Sequence, residues 1–112
     1  MSNSAEKVID WQEEAEGVIN DVKNHVKLIE ISNKLISDGS NVFLNIVLLE
    51  GKSMTVLLDS QGFHIVSENE LDTCEIENIE SFETIYSLLE QHSKEYTKSF
   101  GNELISKLEK VQ

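Results

Sequence analysis

The sequence predicts an α+β domain: an N-terminal helix, a four-stranded antiparallel meander, and two C-terminal helices packed on one face of the sheet. Three observations carry this expectation. Apolar residues recur at steps of three and four from Trp11 to Ile29, and again from Phe82 to Val111. Between those stretches the period falls to two, with Leu44, Ile46 and Leu48 followed by Met54, Val56 and Leu58. The connectors of the period-two runs, Glu50-Gly51-Lys52 and Asp59-Ser60-Gln61-Gly62, are short and carry glycine, which suits hairpins. An antiparallel sheet of this kind needs one face covered, and the flanking helices supply the cover.

Residues 1–10 are small, polar and charged and are expected to form a disordered tail; residues 11–112 form the single domain. Trp11, Ala15, Val18, Val22, Val26 and Ile29 lie on one helical stripe, while Glu13, Glu14, Glu16, Asp21, Lys23 and Lys27 make the solvated face. Acids lead and bases follow, as the helix dipole favours. Gly17 inside this helix costs about 1 kcal/mol relative to alanine, so it is expected to mark a close approach to another element. The first strand is expected over residues 29–36, ended by Asp38-Gly39-Ser40. "NVFLNIVLL", "SMTVLLD" and "GFHIVS" follow as strands, the last with Phe63 and Ile65 on one face. Residues 67–80 read as an acidic loop pinned by Leu71, Ile76 and Ile79. Helix resumes near Ser81, an N-cap with Glu83 in the first turn, and places Phe82, Ile85, Tyr86 and Leu89 on one face. Ser93 is the expected N-cap of the last helix. There Phe100, Leu104, Leu108 and Val111 recur at steps of four, four and three, and Ile105 broadens the stripe.

Composition narrows the function classes. The 112 residues suit one domain, large enough to bury a core without metal or disulfide staples. A formal charge of −12 argues against nucleic acid and against anionic membrane surfaces; its natural complement is a basic patch on a protein partner. Cys74 is the only cysteine, which rules out an internal disulfide. With no basic flank or apolar core of a signal peptide at the N-terminus, a cytoplasmic setting is expected. No apolar run approaches the roughly 20 residues that span a bilayer.

Chemistry is sparse. His25, His64 and His92 fall on separate elements without metal-ligand spacing, so no metal or cofactor is expected. No GxSxG elbow occurs, and Glu50-Gly51-Lys52-Ser53 lacks the upstream glycine of a phosphate loop and joins two strands. His64 points away from the Phe63/Ile65 face and reads as a surface histidine. Cys74 has no basic neighbour to activate it and reads as an inert thiol. The expectation is a non-catalytic protein.

"EEAEGVINDV" (Glu13 to Val22) and "ETIYSLLEQHSKEYTKSFGNELISKLE" (Glu83 to Glu109) carry a resemblance. The chain resembles the small glycogen synthase kinase-3 interaction protein family, which shares an AEAxVNDV helix start, an ETVYSLL segment, an AFGNxLL segment and an RLE tripeptide. In addition, "ELISKLEKVQ" (Glu103 to Gln112) is similar to the kinase-binding helix of axin, FxxELIxxLExVQ, which Phe100, Glu103, Leu104, Ile105, Leu108, Glu109, Val111 and Gln112 match position by position. The resemblance implies helix-in-groove binding to glycogen synthase kinase-3 through Phe100, Leu104, Ile105, Leu108 and Val111. It also implies competition with axin, and so restraint of the kinase in axin-scaffolded (Wnt) signalling. The competing expectation is a structural adaptor with an unknown protein partner, its last stripe being core; an acidic-site enzyme ranks third. The family's other property is anchoring the type II regulatory subunit of protein kinase A through the first helix, here at Ile19, Asn20 and Lys23. It meets a departure: the family's apolar pair after VNDV is replaced by Lys23 and Asn24. A lysine in an apolar groove must be desolvated or snorkel out, at a cost of about 1 kcal/mol or more, so the sequence argues against this partner. Val18, Val22 and Val26 are better explained as core.

Overall fold

The computed structural model describes residues 9–75 and 77–101. The expected tail, apart from Ile9 and Asp10, lies outside the described residues, as do the Ile76 anchor and residues 102–112. Helix α1 spans Trp11–Val22, and the Asp10 carboxylate caps it by accepting the Glu13 N–H at 3.2 Å. A 3-10 turn, Lys23–His25, ends the helical run. Strands β1 (Leu28–Ile31), β2 (Asn41–Val47), β3 (Ser53–Asp59), β4 (Gly62–Glu68) and β5 (Glu80–Phe82) follow. They pair antiparallel in chain order as one five-stranded meander. Helix α2 spans Ile85–His92, and α3 is described over residues 94–101.

The architecture is the expected α+β arrangement, with several corrections. The sheet has five strands rather than four. Glu80–Phe82 pairs with β4, Phe82 opposite Phe63, so Ser81 lies in a strand and does not cap a helix. Thr84 is the N-cap of α2, its side chain accepting the Ser87 N–H at 3.1 Å. On α2, Ile85, Leu88 and Leu89 are buried, whereas Tyr86 is exposed. The first helix is shorter than its stripe: Val26 follows the 3-10 turn and Ile29 belongs to β1. Both are nonetheless buried, because the turn delivers the chain to the same core from the sheet side. The first strand ends at Ile31, and Ile36 stands 90% exposed in the loop that follows.

The core lies between one sheet face and the helices. Leu44, Ile46, Leu48, Met54 and Val56 are fully buried there, with Ala15, Val22, Leu88 and Leu89 supplied by α1 and α2. The opposite face is covered in part by the segment after β4, which polar contacts help to hold. Asn45 exchanges two hydrogen bonds with Asp72, each 2.8 Å, and the Ser32 hydroxyl donates to Asp72 Oδ1 at 2.6 Å. The Thr55 hydroxyl donates to the Glu70 carbonyl at 2.9 Å. A register shift between β3 and β4 skips Val66, whose carbonyl accepts the Glu75 N–H at 2.6 Å. Leu71 is half-buried, but Ile79 is exposed.

Two glycines differ in their reasons. Gly62 has φ +122° at the β3–β4 turn, and a Cβ there would sit 2.3 Å from the Phe82 carbonyl oxygen of β5. Gly17 has nothing within 4 Å of an added Cβ among the described residues, so none of them makes the expected close approach. Gly62→Ala is therefore predicted to lose at least about 1–3 kcal/mol of stability, and Gly17→Ala to gain about 0.4–1 kcal/mol. Urea unfolding of the two variants beside the parent checks both signs.

Candidate functional site

Ser93 caps the last helix, as its position after a helix of period 3.6 suggested. Its hydroxyl accepts the Tyr96 N–H at 3.0 Å and is 1% exposed as a residue. A second cap comes from outside the local sequence. The Glu50 carboxylate, on the β2–β3 hairpin, accepts the Ser93 hydroxyl at 2.8 Å and the Glu95 N–H at 3.0 Å. It thereby supplies negative charge where free N–H groups and the helix dipole call for it. Burial pushes the Glu50 carboxyl up, but the Glu95 amide and then the Ser93 hydroxyl outweigh it and hold the group below the ordinary glutamate value.

This double cap fixes the direction of α3 and the faces of its first turns. Tyr96 turns inward and is 4% exposed; Phe100, one turn on, is 41% exposed. Beneath them lies His25, 4% exposed, at the end of the 3-10 turn. Its Nδ1 shares a 2.8 Å hydrogen bond with the Ser99 hydroxyl. The imidazole lies 5.8 Å from the Tyr96 ring and 5.6 Å from the Phe100 ring, and the two aromatic rings are 5.8 Å apart. Phe100 thus rests one side on a small aromatic cluster and turns the other to solvent.

Of the expected partner-binding residues, the structure places Phe100 as described; Leu104, Ile105, Leu108 and Val111 lie outside the described residues. On the other helix, Ile19 packs partly buried against the core, while Asn20 and Lys23 are exposed. Val22 and Val26 are buried in the core. The residues that sequence reasoning missed around Phe100 are His25, Glu50 and Tyr86. His25 carries a usable signal, since Val18, Val22 and His25 step by four and three onto the buried side of the first helix. Tyr86, exposed on α2, donates its phenol to Asp21 at 3.2 Å. Burial first, and then the Asp21 carboxylate, push that phenol up, so it remains a proton donor at neutral pH.

The other histidines are structural ties. His64 sits on the sheet face away from the helices, as its alternation implies, and is half-buried rather than freely exposed. Its two ring nitrogens contact Asp59 at 2.8 Å and the Ser81 hydroxyl at 2.7 Å. His92, the last residue of α2, contacts Glu80 of β5 at 2.8 Å. Among the described residues, no group of three or more His, Cys, Asp or Glu side chains is placed to hold a metal ion. Among them, too, no helix is long and apolar enough to cross a membrane.

Comparison with known proteins gives a consistent result. The sequence model of the GSKIP domain family matches residues 11–111. A Danio rerio protein named GSK3-beta interaction protein is 31% identical over 106 residues, covering 95% of this chain and 80% of the relative. A Mus musculus protein named GSK3B-interacting protein is 30% identical over 109 residues, covering 92% of this chain and 74% of its own. A Homo sapiens protein of the same name is 29% identical over 103 residues, again covering 92% and 74%.

The hairpin cap makes stability depend on pH in a definite direction. Glu50 has a folded-state pKa below its unfolded value near 4.5, so its contribution is fully present above that value. It is lost as the pH falls through the lower folded value. Glu50→Gln is predicted to flatten this acid-side loss, and Ser93→Ala to cost about 0.5–2 kcal/mol by removing the cap. Denaturant midpoints of parent and variants between neutral pH and the low-acid range check both.

Proposed function

This chain belongs to the GSKIP domain family, and from that membership we propose that it binds glycogen synthase kinase-3 through its last helix. The stripe of Phe100, Leu104, Ile105, Leu108 and Val111 lies in an apolar groove on the kinase and contributes as anchors one or two turns apart. The chain acts there without catalysis of its own and in the cytoplasm. By occupying the groove that axin uses, it restrains phosphorylation of axin-scaffolded substrates. The observation that carries the site is the exposure of Phe100. It is 41% exposed on the same helix that buries Tyr96 to 4%, and a large aromatic left half in water at the start of an apolar stripe supports a partner surface. The acidic balance of the chain, −12 overall, suits a basic rim around such a groove.

The burial of Tyr96 also favours a second reading, in which the same helix continues as core and the domain is an adaptor for another protein. Leu108 discriminates the two. Full burial of a leucine contributes roughly 1.5–3 kcal/mol, so Leu108→Ala is expected to weaken kinase binding about ten- to a hundredfold with the thermal midpoint nearly unchanged. Leu108→Pro, which also breaks the helix, abolishes binding. A large fall in melting temperature with kinase affinity intact would establish the core reading instead; calorimetry and kinase titration on one Leu108→Ala sample decide.

Anchoring of the type II regulatory subunit of protein kinase A is not part of the proposal. Lys23 and Asn24 are exposed in the 3-10 turn that terminates α1, where relatives of the resembled family carry an apolar pair. Affinity for that subunit is expected to be weaker than about 1 µM and to improve in the Lys23→Leu, Asn24→Phe double variant. Tight binding by the unmodified chain, measured by fluorescence polarisation, overturns this.

A further inference from the structure

A cleft of about 510 Å³ opens where the end of α1, the outer face of α2 and the start of α3 converge. His25 and Tyr96, each 4% exposed, form its floor. Tyr86 and Phe100, 43% and 41% exposed, form its walls. Asp21 and Glu90 stand among its lining residues as exposed carboxylates from two different helices. The Tyr86 hydroxyl donates to Asp21 Oδ2 at 3.2 Å, which fixes one carboxylate at the cleft. Tyr96 also belongs to the core, but the Tyr86 ring and the two acids of this cleft serve neither the core nor the stripe beyond Phe100.

We propose that this cleft receives an arginine side chain of a protein partner. Its chemistry selects that occupant by elimination. An anionic group is repelled by Asp21, Glu90 and the overall charge of −12. A neutral apolar side chain would desolvate two carboxylates without compensation. A lysine ammonium meets the charge but is compact and strongly hydrated, and it makes little of the flat ring surfaces. A guanidinium is planar, weakly hydrated, stacks on aromatic faces and presents a fork of N–H donors to carboxylates. The cleft offers both complements at once: ring faces from Tyr86, Tyr96 and Phe100, and carboxylates from Asp21 and Glu90. This proposal goes beyond the kinase reading and does not require it; the two share only Phe100.

The test uses the full chain and a defined probe. N-acetylarginine methylamide is titrated into the isotopically labelled protein, with N-acetylcitrulline methylamide as the neutral isostere and N-acetyllysine methylamide as the point-charge control. Saturable shifts at Tyr86, Glu90, Tyr96 and Thr97 are expected with the arginine probe, and markedly weaker ones with the other two. The Asp21→Asn, Glu90→Gln double variant should weaken the arginine response about two- to fivefold or more at an unchanged thermal midpoint. Should the double variant lose its fold, Glu90→Gln alone at its exposed position, and raised salt on the parent chain, give the same reading. Equal responses to arginine and citrulline, equal responses to arginine and lysine, or no saturable shift with arginine each overturn the proposal. Kinase titration of the parent is scored separately, so loss of the kinase reading and loss of this one are distinguishable.

Discussion

One sheet face, lined by Leu44, Ile46, Leu48, Met54 and Val56 at zero exposure, must be roofed, and the rest of the molecule follows from how that is done. Each such side chain contributes roughly 1.5–3 kcal/mol only while water is excluded. The roof is made of short rods: twelve residues of α1, eight of α2, and the beginning of α3. Helix α1 lies over β1, β2 and β3, and α2 lies beside β5. Short rods laid over a twisted sheet do not seal where their ends converge. At that corner His25 and Tyr96 close the bottom of the gap, and aromatic rings and carboxylates stand around its opening.

The hairpin between β2 and β3 couples this roof to the sheet. Its Glu50 carboxylate holds both the Ser93 hydroxyl and the Glu95 amide, so the start of α3 is aimed from the sheet and not only from α2. That aim places Tyr96 over the core and Phe100 at the edge of it. The opposite sheet face is treated differently. It buries Asn45, Thr55 and Ser67 beneath a connector; hydrogen bonds to Asp72, Glu70 and Thr73 offset the cost for Asn45 and Thr55, while the Ser67 hydroxyl has no partner among the described residues. The Asn45 amide, and then the Ser32 hydroxyl, hold the Asp72 carboxyl below the ordinary aspartate value, as expected for an acid that serves as a fixed acceptor.

What the sequence disclosed follows from how locally each feature is determined. Strands β2, β3 and β4 were legible because alternation and glycine turns are short-range signals, and Ser93 was legible because a cap is read over three residues. β5 was not: three residues carry no period, and only pairing with β4 makes them a strand. The start of α2 was misplaced for the same reason, Ser81 being as good a cap as Thr84 until a strand claims it. Val26 and Ile29 extended a helical rhythm across a break, because turn and strand deliver side chains to the same core. The Glu50 cap joins positions 43 and 45 residues apart, beyond any pattern. At the candidate site, family motifs pointed to Phe100 and the stripe after it, whereas the cluster around His25 depends on three elements meeting in space.

The two outer strands of the meander are its shortest, four residues in β1 and three in β5, while the three between them have seven each. Within the segment richest in β-forming side chains, "NVFLNIVLL", residues 44–47 are therefore paired on both sides. A foreign strand approaching either border finds only a few backbone groups to match, and Glu30 or Glu80 in its path. Self-association by sheet extension, the route by which β-rich chains coalesce into fibrils, is thus blunted by geometry and charge at both margins.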